Sequence, residues 1–507
     1  MSKIQKLRIF LFSDTGLLIL LGLTSLLIHQ LLNGQYGFHR DELNTLVNAR
    51  HLAWGYVEYP PFTPFLVRLA YSLFGPAPAG LRLISAAAMS VALVLAGLMA
   101  RDLGGGRNAQ ILAALSTAIA PYVLLYGGIG MYETYDYFWW VVVTYLIVHL
   151  LKTDDPRWWL GIGAAIGLGM MSKYSMGFLV VGILVGVVLT KARRYLLSPW
   201  LWAGVGISLL IFLPNLIWQV QHNFISLDFL QSIHARDIRI GRGESFLSEQ
   251  FWACTNLVTV PIWIAGLFFI LFARSAKAFR MVAWMVLVPC GIFYYLQGRS
   301  YYLTGVYPVL LAAGSVAWEV GLEHLSLTVK RVLAGVTYGL VILSGAAFSL
   351  IALPIVPVGS DLFVKVSGIN TEFREQVGWP ELVESVAGIY AKLPEEEKAA
   401  TGILTGNYGE AGAVDLYGPE YGLPEAISGV NTYFLRGCGN PPPQTLIVLG
   451  IEDVRIYSFF EECGIEGRIS NPYNIPNEEY LHHSRIYVCR GLRKPWAEIW
   501  KFFQDYG

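Results

Sequence analysis

The sequence predicts an α-helical membrane protein that crosses the bilayer many times and ends in a small α/β domain. Three observations carry this. The 507 residues are 55% hydrophobic and only 14% charged, against roughly 25% charged in soluble proteins, with a mean hydropathy of +0.50. A soluble fold of this size has too little interior for so much apolar sequence. Long apolar runs recur up to residue 354. After that point the pattern changes to short β-rich runs alternating with helix. Two domains are therefore expected, 1–354 in the membrane and 355–507 outside it. The formal net charge is zero, which gives no electrostatic case for nucleic acid as a partner.

A membrane-spanning helix needs about 20 mostly apolar residues, and about eleven stretches meet or approach that length. They lie near 12–33, 80–100, 108–127, 136–151, 158–172, 175–190, 200–220, 251–273, 281–297, 302–320 and 332–354. Alternate connections are basic: Arg101 and Arg107; Lys152 and Arg157; Lys191, Arg193 and Arg194; Arg274, Lys277 and Arg280; Lys330 and Arg331. The N-terminus adds Lys3, Lys6 and Arg8. The positive-inside rule makes these connections cytoplasmic. The N-terminus is then inside and the tail after Pro354 outside. MSKIQKLRIF has no small-residue cleavage site after it, so it reads as a retained anchor.

The tail contains WPELVESVAGIYAKLPEEEKAA, with the apolar spacing of an amphipathic helix, and the strand-like runs ATGILTG, TLIVLGI and SRIYVCR. None of the five cysteines forms a CxxC motif. Cys254 and Cys290 lie in apolar runs. An oxidising outer compartment allows Cys438 to pair with Cys463, leaving Cys489 over.

The outer connections mix acids, bases and aromatics. In the first, FHRDEL leads into DELNTLVNARHLAWG, whose apolar residues fall at helical spacing. Pro60-Pro61 then separates it from a second amphipathic segment, FTPFLVRLAYSLFG. Asp41 and Glu42 open the first of these surface helices, where acids complement the helix dipole and cap the first turn. The same position suits a general base at the bilayer edge. MYETYDY supplies Glu133 and Asp136, three residues apart, either as helix-start acids or as site residues. Lys173 interrupts two short apolar runs, where it can snorkel to the interface or meet a phosphate.

The connection 221–250 adds His222, Asp228, His234, Arg236 and Arg239, and Gly241-Arg242-Gly243 marks it as a mobile flap. QGRSYYLTGVYP adds Arg299, Tyr301 and Tyr302, as an interfacial anchor or a phosphate clamp. No P-loop, GxGxxG, HExxH or GxSxG occurs in a suitable context. His482-His483 has no partner at metal spacing, and no spacing argues for metal binding by His39, His51, His222 or His234.

FHRDELNTLVNARHLAWGYVEYPPFTPFLVRLAYSLFG, GLGMMSKYS and GRSYYLTGVYPVLLAAG together resemble bacterial members of the GT-C glycosyltransferases. The group is the dolichyl-phosphate-mannose protein mannosyltransferase-like family (glycosyltransferase family 39-like). The resemblance runs in order through roughly the first 350 residues and is most specific from Arg40 to Pro61. It implies a GT-C fold in a bacterial inner membrane. The enzyme would move a sugar from a polyprenyl-phosphate carrier to a lipid, glycan or protein hydroxyl on the outer face. Attack opposite the departing phosphate would invert the anomeric carbon. Carried over, the family's acidic pair falls on Asp41 and Glu42, with Asp41 as the base, and the second outer acid on Asp136 with Glu133 close by.

Sidedness adds Lys173 and Arg299 toward the carrier phosphate, and Arg40, Glu58, His222, Arg236, Tyr301 and Tyr302 as further substrate-binding candidates. Relatives that transfer aminoarabinose to lipid A carry Glu-Lys in the first loop. Here Tyr59 follows Glu58, so that lysine is missing. A nucleotide site is not needed, and a divalent metal is left open. The rival reading is a transporter or flippase of lipid-linked sugars or small molecules. It would place charges at the membrane midplane in repeated halves, whereas here they gather toward one face and no repeat is visible.

Overall fold

The computed structural model describes residues 12–507. The basic segment with Lys3, Lys6 and Arg8 lies outside the described residues. Among these, seven helices are long and apolar enough to cross a membrane: Asp14–Leu32, Pro78–Asp102, Tyr132–Thr153, Pro199–Gln221, Lys277–Tyr295, Ser300–Glu323 and Leu327–Ala352. Two bent pairs, Met176–Leu189 with Lys191–Leu197 and Phe246–Trp252 with Leu257–Phe272, raise the number to nine.

Besides these bent pairs, two of the roughly eleven expected stretches do not form a single long helix. The stretch 158–172 forms Trp158–Met170, 13 residues long, or about 20 Å at the helical rise of 1.5 Å per residue. That is short of the roughly 30 Å hydrocarbon thickness. The stretch 108–127 divides into Arg107–Ala118 and Pro121–Tyr126, because Pro121 has no N–H to continue the first helix.

Small residues bring the helices close, as expected for packing within a bilayer. A Cβ on Gly163 would lie 2.0 Å from the Gly204 carbonyl oxygen, and one on Gly314 would lie 1.8 Å from that of Ile262. Helix Trp158–Met170 therefore meets Pro199–Gln221 backbone to backbone, and Val260–Phe272 meets Tyr307–Glu323 in the same way.

The first outer connection forms the two expected helices, Arg40–Arg50 and Phe62–Phe74. The connection 221–250, expected as a flap, carries a helix, Ile225–Arg239, followed by the start of Phe246–Trp252. Phe229 and Ile233 of that helix pack on Val57 of the first connection, while Leu227, Leu230 and Ile238 stay exposed.

After Leu327–Ala352 the chain forms a five-stranded sheet of β1 Thr401–Thr405, β2 Ala426–Ser428, β3 Thr445–Leu449, β4 Phe460–Arg468 and β5 Arg485–Leu492. The strand order is β2-β1-β3-β5-β4. β1 pairs in parallel with β2 and β3, while β5 runs antiparallel to β3 and β4. β1 and β3 are buried along their whole length, as suits the uncharged sequences TGILT and TLIVL. β2 has three residues and the edge strand β4 is mostly exposed and charged, so neither carries a strong strand pattern.

Cys463 and Cys489 face each other across β4 and β5 and form a disulfide, while Cys438 is free. The expected Cys438–Cys463 pairing is corrected by this strand register. One apolar core joins the sheet domain to the first outer connection. Phe38, Leu43 and Leu46 pack there with Trp379, Leu382, Val414 and Ile447.

Candidate active site

A cavity of about 1040 Å³ lies between the connections that carry Asp41, Glu133, Lys173, Asp237 and Arg299 and the C-terminal domain. The first helix of the first connection brings Asp41 to its wall. His39 caps that helix, and the Glu42 carboxylate reaches back to the His39 backbone N–H at 2.8 Å. Asp41 is thereby presented from the first turn. Its Oδ1 accepts a hydrogen bond from Tyr408 Oη at 2.7 Å, and its Oδ2 lies 3.7 Å from His39 Nδ1.

His39 Nε2 lies 2.9 Å from Glu372 Oε2. Burial disfavours the charged ring. The Glu372 hydrogen bond and the charges of Asp41, Glu372 and Glu42 outweigh it and raise the pKa to about 9. The Asp41 amide lies 3.2 Å from Nδ1 and bonds to it only when the ring is neutral.

Arg40 also lines the cavity. It binds Glu478, lies 3.8 Å from Glu375, and sits 5.1 Å above the Tyr408 ring. Glu58 is buried and held by neutral donors, Asn44 at 2.8 Å, Asn48 at 3.0 Å and Thr432 at 2.5 Å.

Another part of the lining is cationic and aromatic. Lys173 Nζ lies 3.5 Å from Glu133 Oε1 and over the rings of Tyr132, Tyr301 and Tyr302 at 5.0, 5.3 and 4.4 Å. Such a cage desolvates the ammonium while the ring faces compensate part of the cost. Arg299 forks onto Asp237 at 2.5 and 3.1 Å and donates to Tyr301 Oη at 2.9 Å. Arg236 lines the same space.

Of the residues singled out in the sequence, the cavity thus gathers Arg40, Asp41, Glu58, Glu133, Lys173, Arg236, Arg299, Tyr301 and Tyr302. Of the catalytic and substrate-binding candidates, Glu42, Asp136 and His222 stand apart from its lining. Glu42 is buried against Arg82 at 2.6 Å. Asp136 accepts from Trp140 Nε1 at 3.1 Å and from Ser175 Oγ at 2.7 Å, so that Ser175 rather than Asp136 meets the cavity. His222 stacks on Trp218 at 4.0 Å.

Sequence reasoning missed Tyr408, Glu372, Thr432 and Asp237. The start of helix Tyr408–Tyr417 was legible as the capping box Asn407 to Glu410, but nothing local names Asp41 as its neighbour. Among the described residues no group of three or more His, Cys, Asp or Glu side chains is placed to hold a metal ion. No chemistry is therefore derived through a metal.

The architecture is that of a multi-pass integral membrane protein whose C-terminal domain covers a charged cavity. Residues 58–218 match the sequence family described as Dolichyl-phosphate-mannose-protein mannosyltransferase. The chain is 26% identical over 277 residues to lipid A galacturonosyltransferase RgtD of Rhizobium johnstonii, covering 54% of this chain and 58% of that one. It is 29% identical over 168 residues to undecaprenyl phosphate-alpha-4-amino-4-deoxy-L-arabinose arabinosyl transferase 1 of Pseudomonas fluorescens, covering 31% of this chain and 30% of that one. The chain thus matches under two thirds of the length of either relative.

Crystal structures of ArnT from Cupriavidus metallidurans superpose over 94% of this chain and 98% of that one. The TM-score is 0.58 at 15% identity for the apo state, and 0.56 at 16% identity for the state bound to undecaprenyl phosphate. The chain is thus similar in sequence to membrane glycosyltransferases over part of its length and shares the fold of ArnT.

Proposed function

We propose that the protein transfers a sugar from a polyprenyl-phosphate carrier to an acceptor hydroxyl at the extracytoplasmic face of a bacterial inner membrane, with inversion. The N-terminus would be cytoplasmic and the domain 355–507 extracytoplasmic. The observation that carries this reading is the meeting of the Asp41 carboxylate with Lys173 and Arg299 around one cavity. The names of the relatives support it. One is a lipid A galacturonosyltransferase, another an undecaprenyl-phosphate-aminoarabinose transferase, and a neighbour of the same fold binds undecaprenyl phosphate.

In this reading Asp41 takes the proton of the acceptor hydroxyl as its oxygen attacks the anomeric carbon. The carrier phosphate leaves from the opposite side. Lys173 and Arg299 stabilise its charge, each already held in place by aromatic and carboxylate neighbours. A lipid phosphate is a competent leaving group, so orientation in the cavity and charge stabilisation supply most of the rate. Glu58, Tyr301 and Tyr302 are positioned to contact the substrate. Glu42 and Asp136 act through structure, by fixing the first helix and Ser175.

The test uses purified protein in lipid nanodiscs. It is given radiolabelled undecaprenyl-phosphate-linked aminoarabinose, galacturonate or hexose with lipid A, glycan or protein acceptors. Label should move to an acceptor, and Asp41→Asn should stop it in a folded protein. Full transfer by that variant would overturn the base assignment. Movement of intact carrier-linked sugar between leaflets, without transfer, would replace the reading with a flippase.

A further inference from the structure

We propose that the C-terminal domain completes the site, Tyr408 and Thr432 being positioning residues for the cavity carboxylates Asp41 and Glu58. The inference rests on the glycosyl-transfer reading above. Two independent contacts support it. Tyr408 Oη donates to Asp41 Oδ1 at 2.7 Å, which holds one carboxylate oxygen and leaves Oδ2 for proton transfer. Tyr408 is itself held, with the Arg40 guanidinium 5.1 Å above its ring.

Thr432 does the same for Glu58 by a different route. Its hydroxyl donates to Glu58 Oε2 at 2.5 Å and accepts the Val57 backbone N–H at 2.9 Å. One hydroxyl thus fixes both the carboxylate and the strand of chain that carries it. Asn44 and Asn48 occupy the other oxygen, Oε1.

Glu58 and Asp41 belong to the first outer connection, whereas both hydroxyls come from beyond residue 400. The two parts are locked in register by close packing, since a Cβ on Gly412 would lie 2.8 Å from the Leu43 backbone. Catalytic groups need placement to within about 0.5 Å, and a misplacement near 1 Å costs roughly a hundredfold in rate. A domain that contacts two cavity acids through two different hydroxyls is therefore part of the machinery rather than an appendage.

The experiment compares full-length wild type, Tyr408→Phe, Thr432→Val and Asp41→Asn in nanodiscs, with the undecaprenyl-phosphate-linked sugars named above. Tyr408→Phe should lower kcat roughly tenfold or more while donor KM stays within about threefold. In an Asp41→Asn background it should add no further loss.

A second measurement needs no donor. Melting temperatures of Tyr408→Phe, Asp41→Ala and the double variant should be non-additive, and so should those of Thr432→Val with Glu58→Gln. Wild-type kcat in Tyr408→Phe, or additive melting shifts in either cycle, would overturn the proposal. Normal transfer by Asp41→Asn would defeat the base assignment alone, and the melting cycles would then decide the positioning contacts.

Discussion

Arg82 and Glu42 form a buried, two-point ion pair, with Nε donating to Oε1 at 2.9 Å and Nη2 to Oε2 at 2.6 Å. The guanidinium is fully buried and also donates to the Asn33 and Gly37 carbonyls at 2.7 Å each. Burial works against the Glu42 carboxylate, but Arg82 and the backbone N–H groups of His39 and Gly130 hold its pKa below the usual range. The pair ties the first outer helix to the start of the second long apolar helix, and so sets where Asp41 stands.

Breaking this pair from one side leaves an uncompensated buried charge, at a cost of roughly 3–5 kcal/mol. Arg82→Leu should therefore melt well below wild type and express poorly, as read by thermal melting in detergent. Glu42→Gln should lose stability together with transfer, whereas Asp41→Asn should lose transfer alone. Wild-type stability in Arg82→Leu would show that the pair is dispensable.

Lys173 sits among three tyrosine rings and beside Glu133. If it stabilises the departing phosphate, Lys173→Gln should lower kcat/KM for the carrier-linked donor by roughly a hundredfold. Lys173→Arg should recover part of the loss. Steady-state kinetics with a single donor checks this, and unchanged kinetics in Lys173→Gln would remove it from the phosphate site.

His39 gives a pH dependence of stability. Its folded pKa of about 9 lies above the ordinary 6.5, so the folded state holds the proton more tightly. That contribution is complete below about pH 6.5 and is lost as pH rises through 9. Melting temperature should fall across that window, and His39→Gln should flatten the fall. Glu410, which burial and the neighbouring Glu479 push up to about 8, adds its own decline between pH 4.5 and 8. The difference between wild type and His39→Gln therefore isolates the histidine.

Gly412 lies where helix Tyr408–Tyr417 crosses helix Arg40–Arg50, with no room for a side chain. Gly412→Val should push Tyr408 away from Asp41. Transfer should drop by at least roughly tenfold, with a smaller change in donor affinity. A structure of the variant by cryo-electron microscopy would show whether the helices separate.

The Cys463–Cys489 bond should survive non-reducing digestion as one cross-linked peptide pair, while Cys438 reacts with a thiol label in the denatured, unreduced protein. Mass spectrometry that found Cys438 joined to Cys463 would overturn the Cys463–Cys489 pairing.

Much was legible from local pattern. Hydrophobic run length predicted a helical membrane protein, because backbone groups in a bilayer must be satisfied within helices. Helical spacing after FHRDEL located the helix Arg40–Arg50, and the short strand-like runs ATGILTG and TLIVLGI marked β1 and β3. The charges that line the cavity, Asp41, Lys173 and Arg299 among them, stood out because charge is costly next to apolar spans.

Partner choice was not legible. Asp41 and Glu42 are adjacent and look alike in sequence, yet one faces the cavity and Tyr408 while the other is sealed against Arg82. Tyr408 is 367 residues from Asp41, and the cysteine that pairs with Cys463 was decided by strand register. Periodicity and run length are properties of neighbours along the chain, so the sequence by itself determined the class of protein and the positions of helices Arg40–Arg50 and Phe62–Phe74. Which carboxylate is exposed, which is neutralised and which hydroxyl holds it depend on distances of a few ångströms between segments hundreds of residues apart. Only the packing of the C-terminal domain on the first outer connection decides those.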